Sequence, residues 1–412
     1  MAQFGNGSSV VLFGGRGNFD VLGDTWIWNG SDWSAYSPPT GSPPARFGAT
    51  MAYDPVSGNA VLFGGLDING NTLSDTWVFN RVCSTTRFGS RICIGPVWSQ
   101  VTSAANPPAR GAASMAYDPA RRRVVLNGGR NLGTTYTDTW EFDPAANSWA
   151  NPTVLGSTDS LNAAMAQCDN SGLVMEFGSD QFGFSRNAFV YSGNFIEGIG
   201  FLGSWASSAP ATKPLTRGFD AMAFYPVSGK AVLYGGQTHA SDGTFAVGSD
   251  TWSGGCSTTS VTWTQQAPAH NPGPRWLHAM TTGPSGLTVL FFGGFPGAPV
   301  VLNSLPLVAT DFRFNFIGQS DTWVWGKRAA CLPLEGEIPA NSKIVCQFTP
   351  ADGIDFGRWE ALGFAPLLRR EPDATFEAVQ PGPATITAQW SEADGVHTQT
   401  LRYTILPREH GH

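Results

Sequence analysis

Apolar residues in this chain come in short runs that stop at a glycine pair: V-V-L-F-G-G (10–15), A-V-L-F-G-G (60–65), V-V-L-N-G-G (124–129), A-V-L-Y-G-G (231–236) and V-L-F-F-G-G (289–294), with a weaker V-M-E-F-G-S at 174–179. Runs this short, rich in β-branched and aromatic residues and bounded by turn formers, predict strands, and no stretch shows the 3.6-residue spacing of an amphipathic helix. Further along each repeat stands Asp-Thr-Trp, beginning at Asp24, Asp75, Asp138, Asp250 and Asp321, while the fourth repeat carries a degenerate N-A-F-V-Y from Asn187. A methionine lies 13 places before the first glycine in all six copies, from Met1 before Gly14 to Met280 before Gly293. Arg46, Arg110, Arg217 and Arg275 each precede that methionine by five places.

The same spacing runs across the chain ends. If Met1 is counted as following His412, Arg408 precedes it by five places, in the register of P-A-R-F-G-A-T-M-A-Y (44–53). The expectation is therefore that Pro407, Arg408, Glu409, His410, Gly411 and His412 form one half of an inner strand of the first repeat, and Met1, Ala2, Gln3 and Phe4 the other half. The missing half can come from the same chain or from another copy by strand donation.

Glycine pairs followed by Asp-Thr-Trp and a second Trp, repeating about every 50 residues, resemble the Kelch family. That resemblance covers residues 1–326 and implies a β-propeller in which each repeat forms one four-stranded blade. Six copies imply six blades. The glycine pairs and the tryptophans recur once per repeat, as packing requires, and so read as structural.

After D-T-W-V-W-G (321–326) the repeat stops until Pro407. Within this stretch A-T-I-T-A-Q-W (384–390) and T-L-R-Y-T-I-L (400–406), separated by a turn, alternate as half-buried strands do. P-G-P-A-T-I-T-A with the following turn and closing strand resembles bacterial Ig-like domains, which act as spacers or adhesion modules at cell surfaces. The expected organisation is all-β: a six-bladed Kelch propeller over 1–328, with its first blade completed by 407–412, and a small Ig-like sandwich over 329–406.

Composition narrows the function. A net charge of −7 without a basic run argues against nucleic acid as a partner, because such affinity rests on Lys and Arg neutralising phosphates. No apolar stretch reaches the length of a membrane-spanning helix. The N-terminus lacks the regions of a signal peptide, so the expectation is an export signal already removed or a cytosolic protein. Two pairs among the six cysteines, Cys83 with Cys93 and Cys331 with Cys346, have the spacing of small disulfide loops and favour an extracellular or cell-surface location. Cys168 and Cys256 have no local partner and read as buried thiols, with a long-range bridge as the alternative.

Candidate chemistry is sparse. Arg46, Arg110, Arg217, Arg275 and Arg408 would ring one end of the channel, either to bind an anionic ligand or to pair with blade carboxylates. Asp67, Asn69 and Asn71 begin like a calcium loop, but the twelfth place holds Val78 rather than an acid, and an Asn-rich turn explains them as well. His278 with His410 and His412 would make a weak metal site at best, with packing the competing explanation. A copper-radical enzyme of the galactose oxidase type would need a Tyr and His ligand set that this chain does not display. The sequence therefore points to a non-enzymatic protein without cofactor, whose partners are other copies of itself or a surface glycan or protein: a self-assembling structural or adhesive protein, or a monomeric binding propeller closed by its own C-terminal strand.

Overall fold

The computed structural model describes the chain apart from residues 6, 18–19, 31, 86–90, 157, 159–161, 170, 179–186, 197–199, 240–244, 269–270, 287, 297–321, 327–328, 333–335, 349–354, 371–372, 393–394 and 408–412. The described residues are all-β, with strands joined by turns and a single short 3-10 helix at Pro284–Gly286, and form two compact units, Met1–Val324 and Trp325–His412.

In the first unit the described repeats fold into six main sheets that follow one another along the chain, with two small ones between them, Arg130–Asn131 with Thr134–Thr135, and Arg217–Gly218 with Gln237–His239 and Phe245–Val247. Sheet one takes Ala2–Phe4, Ser9–Arg16, Val21–Trp28 and Trp33–Tyr36 in that spatial order. Sheet two takes Thr50–Asp54 to Arg91–Val101, sheet three Ser114–Asp118 to Ser148–Ala150, and sheet five Ala221–Tyr225 to Val261–Gln266, each by the same up-and-down path. Sheet six begins at Ala279–Thr282 and ends at Thr322–Gly326. Sheet four, built from the degenerate repeat, gains a strand: Thr153–Leu155 runs parallel to Gly200–Ser208. The first strands of the six sheets neighbour each other in chain order, and Ala279–Thr282 neighbours Ala2–Phe4, so the sheets form a ring. An all-β fold of this kind is that of a β-propeller.

The apolar cores lie between neighbouring sheets. Phe13 meets Trp98 edge-on at 5.2 Å between sheets one and two, Phe63 meets Trp149 at 5.4 Å between two and three, and Phe177 meets Trp263 at 5.0 Å between four and five. Such pairs add about 0.5–1.5 kcal/mol each beyond the area they bury. The glycine pairs make the close approach possible. Gly64 has φ +64°, and a Cβ there would lie 2.5 Å from the Arg110 carbonyl of the next repeat. No side chain fits that seam.

Cys168 and Cys256 form a disulfide, correcting the expectation of two buried thiols. The reason is that neighbouring repeats stack: although 88 residues apart in sequence, the end of one strand in sheet four lies 5.6 Å, Cα to Cα, from a strand end in sheet five. Cys83 and Cys93 are backbone partners across a hairpin, with side chains outside the described residues.

The second unit holds two four-stranded sheets. One orders Ala329–Leu332, Lys343–Phe348, Asp373–Ala378 and Phe364–Arg370; the other orders Gly336–Pro339, Gly395–Leu406, Gly382–Glu392 and Asp355–Leu362. They bury one common core that includes Ile344, Trp359, Phe376, Ile386 and Tyr403. Cys346 is disulfide-bonded, and its register partner in the sheet is Cys331, whose side chain lies outside the described residues.

Candidate functional site

The recurring Arg, Asp and Trp build one clamp per repeat. Arg46 grips Asp75 with two bonds of 2.6 and 2.7 Å, donates to the Gly64 carbonyl at 3.0 Å, and uses its Nε on the Pro44 carbonyl at 2.9 Å. Trp77 donates to the same carboxylate at 2.6 Å. Arg110 with Asp138 and Trp140, and Arg217 with Asp250 and Trp252, repeat this arrangement. Burial alone would raise Asp75, Asp138 and Asp250, but the bonds from the arginines and tryptophans hold all three below the usual carboxylate range. These arginine side chains are fully buried. Arg275 is buried too and donates to the Gly293 carbonyl at 2.9 Å. The guanidinium groups expected as an anion-binding ring are thus engaged inside the fold and present no face to a ligand; Arg408 lies outside the described residues.

A second periodic feature lies at the mouth of the channel. Gly48, Ala112, Asn162, Phe219 and Leu277, each three places before its motif methionine, all adopt φ between 56° and 61°. Only Gly48 adopts that region without steric cost, so four non-glycine copies mean that the surroundings impose it. The surroundings are each other. The N–H of Ala112 donates to Gly48 at 3.0 Å, Asn162 to Ala112 at 3.1 Å, Phe219 to Asn162 at 3.1 Å and Leu277 to Phe219 at 2.9 Å. The row stops there: among the described residues nothing bonds the Gly48 N–H or the Leu277 carbonyl.

Sheet one differs from the others in the same neighbourhood. Its Asp24 accepts from Trp26 at 2.6 Å, but it is exposed and, among the described residues, has no guanidinium partner. Ala2, Gln3 and Phe4 are buried and pair with Val11, Val10 and Ser9.

Inside the ring is a cavity of about 520 Å³. Six methionines line it, one from each sheet: Met1, Met51, Met115, Met165, Met222 and Met280. Two places before five of them stand Ala49, Ala113, Ala163, Asp220 and His278, so this column is alanine except on sheets five and six. Asp220 and His278 are 8% and 6% exposed, their carboxylate oxygens and ring nitrogens have no accessible surface, and the Tyr234 backbone interacts with the His278 ring. Burial pushes Asp220 up to about 7 against the pull of Arg217. Burial, then the Arg275 charge, lower His278 to about 3, so its imidazole is neutral. Arg16, over the Phe47 ring at 5.3 Å, and the Met1 amino group, which burial lowers to about 6, are the other charged groups on this wall.

The remaining sequence candidates are placed as follows. Asp67 accepts from the backbone of Asn69 at 2.8 Å and Asn71 at 2.9 Å, and from the Asn71 side chain at 2.9 Å, so the suspected calcium loop is a self-satisfied turn. Glu409, His410, Gly411 and His412 lie outside the described residues, and the described residues contain no cluster of three or more His, Cys, Asp or Glu that could hold a metal. Asp220 escaped the sequence reading. The signal was available, because it occupies a register column that is alanine in three other repeats.

Residues 1–191 match the family model described as the KLHDC2/KLHL20/DRC7 Kelch-repeats domain. The chain is also 38% identical over 78 residues to tRNA wybutosine-synthesizing protein 4 of Emericella nidulans, an alignment covering 17% of this chain and 7% of that protein. So small a share of that relative carries none of its activity across. The family match and the repeated Arg, Asp and Trp clamp together support a Kelch-repeat protein, a type of propeller that serves as a protein-interaction module.

Proposed function

We propose that this chain is a non-enzymatic, six-bladed Kelch propeller with an Ig-like domain over 329–406, acting at an extracellular or cell surface. Its first blade is completed by Pro407–His412 of a neighbouring copy, so that the protein self-assembles. The observation that carries the reading is that, among the described residues, sheet one repeats the motif without its first half: Asp24 accepts from Trp26 but has no described arginine opposite it, where Asp75, Asp138 and Asp250 have one. The backbone row ends one residue short, and counting three places back from Met1 through the chain end assigns that station to His410. Arg408 then takes the clamp position opposite Asp24. Backbone pairing of this kind is strand donation, whose affinity comes from main-chain hydrogen bonds. The Cys168–Cys256 bridge and the bonded Cys346 support an oxidising compartment.

Light scattering across a concentration series tests this. The full chain should form assemblies, removal of 408–412 should leave monomers, and Arg408→Ala should weaken association at least tenfold. A full chain that stays monomeric at high concentration overturns self-assembly and leaves the propeller closed by its own segment, binding glycan or protein.

A further inference from the structure

We propose that the seam between sheets four and five is a redox-controlled gate in the ring: the Cys168–Cys256 bridge holds it shut, and reduction of that bridge by a dithiol opens it while sheets one, two and three stay packed together. The inference goes beyond the interaction-module reading by giving the ring a second state, and it does not depend on where Pro407–His412 docks.

Three seams are closed by a buried indole that reaches into the preceding sheet: Trp98 donates to Thr25 at 3.0 Å, Trp149 to Thr76 at 2.8 Å and Trp205 to Thr139 at 2.9 Å. The seam between sheets three and four adds the Tyr191 hydroxyl, which donates to Glu141 at 2.8 Å. Between sheets five and six, Tyr234 donates to the Gly273 carbonyl at 2.8 Å and Thr282 to the Phe224 carbonyl at 2.6 Å. The seam between sheets four and five is poorer. Ala188 stands where the threonine belongs, and among the described residues the buried Trp263 indole N–H has no acceptor. Repeat four also has Ser160 and Asn187 where the clamp arginine and aspartate belong. What crosses this seam among the described residues is the Phe219 N–H to the Asn162 carbonyl at 3.1 Å, the Val261 N–H to the Ser208 hydroxyl at 2.9 Å, the packing of Phe177 on Trp263, and the bridge. The covalent tie thus stands where the other fastenings are thinnest, and a protein opens first along its least fastened boundary.

The two sulfurs differ in access. Cys168 is fully buried, whereas Cys256, at the end of Thr251–Cys256, is partly exposed. A thiolate of the reductant therefore attacks the Cys256 sulfur, forms a mixed disulfide and expels the Cys168 thiolate, which takes up a proton. The second thiolate of the reductant then bonds to the first and expels Cys256, which is protonated in turn. The protein gains two electrons and two protons, and the dithiol leaves as its own disulfide. The fold holds an acceptor ready for the buried thiol, because the Cys168 sulfur lies 3.3 Å from the Leu173 carbonyl. An oxidising compartment keeps the ring closed, and passage into a reducing one opens it. Opening uncovers Met175, Phe177 and Val190 of sheet four and Leu233 and Trp263 of sheet five, which share one core in the closed ring.

Hydrogen–deuterium exchange of the full chain provides the test, comparing the oxidised protein, the same protein reduced in its folded state with dithiothreitol, and the double variant Cys168→Ala with Cys256→Ala, which leaves the other cysteines in place. The expected result, in the reduced protein and in the variant alike, is about tenfold faster exchange in Val174–Phe177, Ala188–Ile196 and Lys230–Tyr234, with Asn59–Phe63 and Arg123–Asn127 changed by less than about twofold. Equal acceleration in all five strands means that the bridge stabilises the fold as a whole, and it overturns the gate, as does unchanged exchange at the seam. Alkylation and intact mass follow the thiols: a bridge that dithiothreitol leaves oxidised while the chain stays folded overturns redox control, whatever the variant does. Ala188→Thr in the variant gives Trp263 an acceptor and should restore about half of the lost protection, whereas Ala188→Val should restore none. Equal recovery by both overturns the claim that missing bonds make this seam depend on the bridge. Loss of assembly on removing 408–412 leaves all of these readings unchanged, so the two proposals fail separately.

Discussion

The second and fourth repeats occupy equivalent places in the ring but are held by different means. Repeat two has the whole clamp: Arg46 and Trp77 both donate to Asp75, and Trp149 of the next sheet donates to Thr76 at 2.8 Å. Repeat four has Asn187, Ala188 and Phe189 where Asp, Thr and Trp belong. Its sheet forms nonetheless, with Val174–Phe177 between Ala164–Gln167 and Ala188–Ile196. Two substitutes are visible. The Cys168–Cys256 bridge ties this sheet to sheet five. On the other side Glu176 accepts from Ser114 and, at 2.9 Å, from Asn127, both of sheet three. The strand pattern and the glycine seam thus suffice to place a blade, and the clamp is one of several ways to fasten it to its neighbours.

The largest effect should come from removing the fastening peculiar to repeat four. Replacing both Cys168 and Cys256 by Ala frees an 88-residue span in the unfolded chain and should cost about 4 kcal/mol, read as a lowered denaturant midpoint with an increased slope of unfolding surface. The same experiment under reducing conditions should reproduce the loss in the parent. If neither does, the bridge is not what compensates for the missing clamp.

Breaking an intact clamp comes next. Arg110→Ala takes the guanidinium from the Gly128 carbonyl and leaves Asp138 only its Trp140 bond, and should cost about 3 kcal/mol, the low end for a buried pair because Asp138 is about a third exposed. The clamp also sets a pH dependence. Asp75, Asp138 and Asp250 are held below their ordinary value, so their contribution is present above about pH 4 and is lost as pH falls through the lowered folded values. Arg110→Ala should flatten part of that acid limb.

The strands and the clamp residues were legible from sequence because each recurs at a fixed offset, and repetition separates packing from chemistry. The clamp's partners were half legible: the arginines were recognised as a set, but only geometry shows that Arg46, Arg110 and Arg217 are each consumed by the Asp 28 to 33 places on. The Cys168–Cys256 bridge was hidden because it links two repeats at positions outside the motif. Ser114, Asn127 and Glu176 were hidden for the same reason, being three unremarkable polar residues until two sheets meet. Asp220 and His278 break a column of alanines, and only the structure shows that both side chains are buried.

Asp220 should give an effect of opposite sign. Its folded value is raised to about 7 while the unfolded chain titrates near 4, so the native state binds more protons between these values and stability falls as pH rises across that window. Asp220→Asn should abolish that fall, leaving the variant the more stable by about 2 kcal/mol at pH 8 and level with the parent near pH 4. Melting curves at pH 4, 6 and 8 measure it. A parent whose stability is flat over that range would mean that the carboxylate finds a partner in solution.

The smallest effect repairs the degenerate repeat. Trp98 donates to Thr25 at 3.0 Å, Trp149 to Thr76 at 2.8 Å and Trp205 to Thr139 at 2.9 Å, each reaching the threonine of the preceding sheet. In the next interval Ala188 stands at the threonine position, and the Trp263 indole N–H is buried without a partner. Ala188→Thr should restore the bond and stabilise the protein by about 1 kcal/mol, the net worth of satisfying one buried donor. Ala188→Val adds the same volume without the hydroxyl and should be neutral or destabilising. If Thr and Val shift the melting temperature equally, the indole was satisfied by water and the seam beside repeat four is looser than its counterparts.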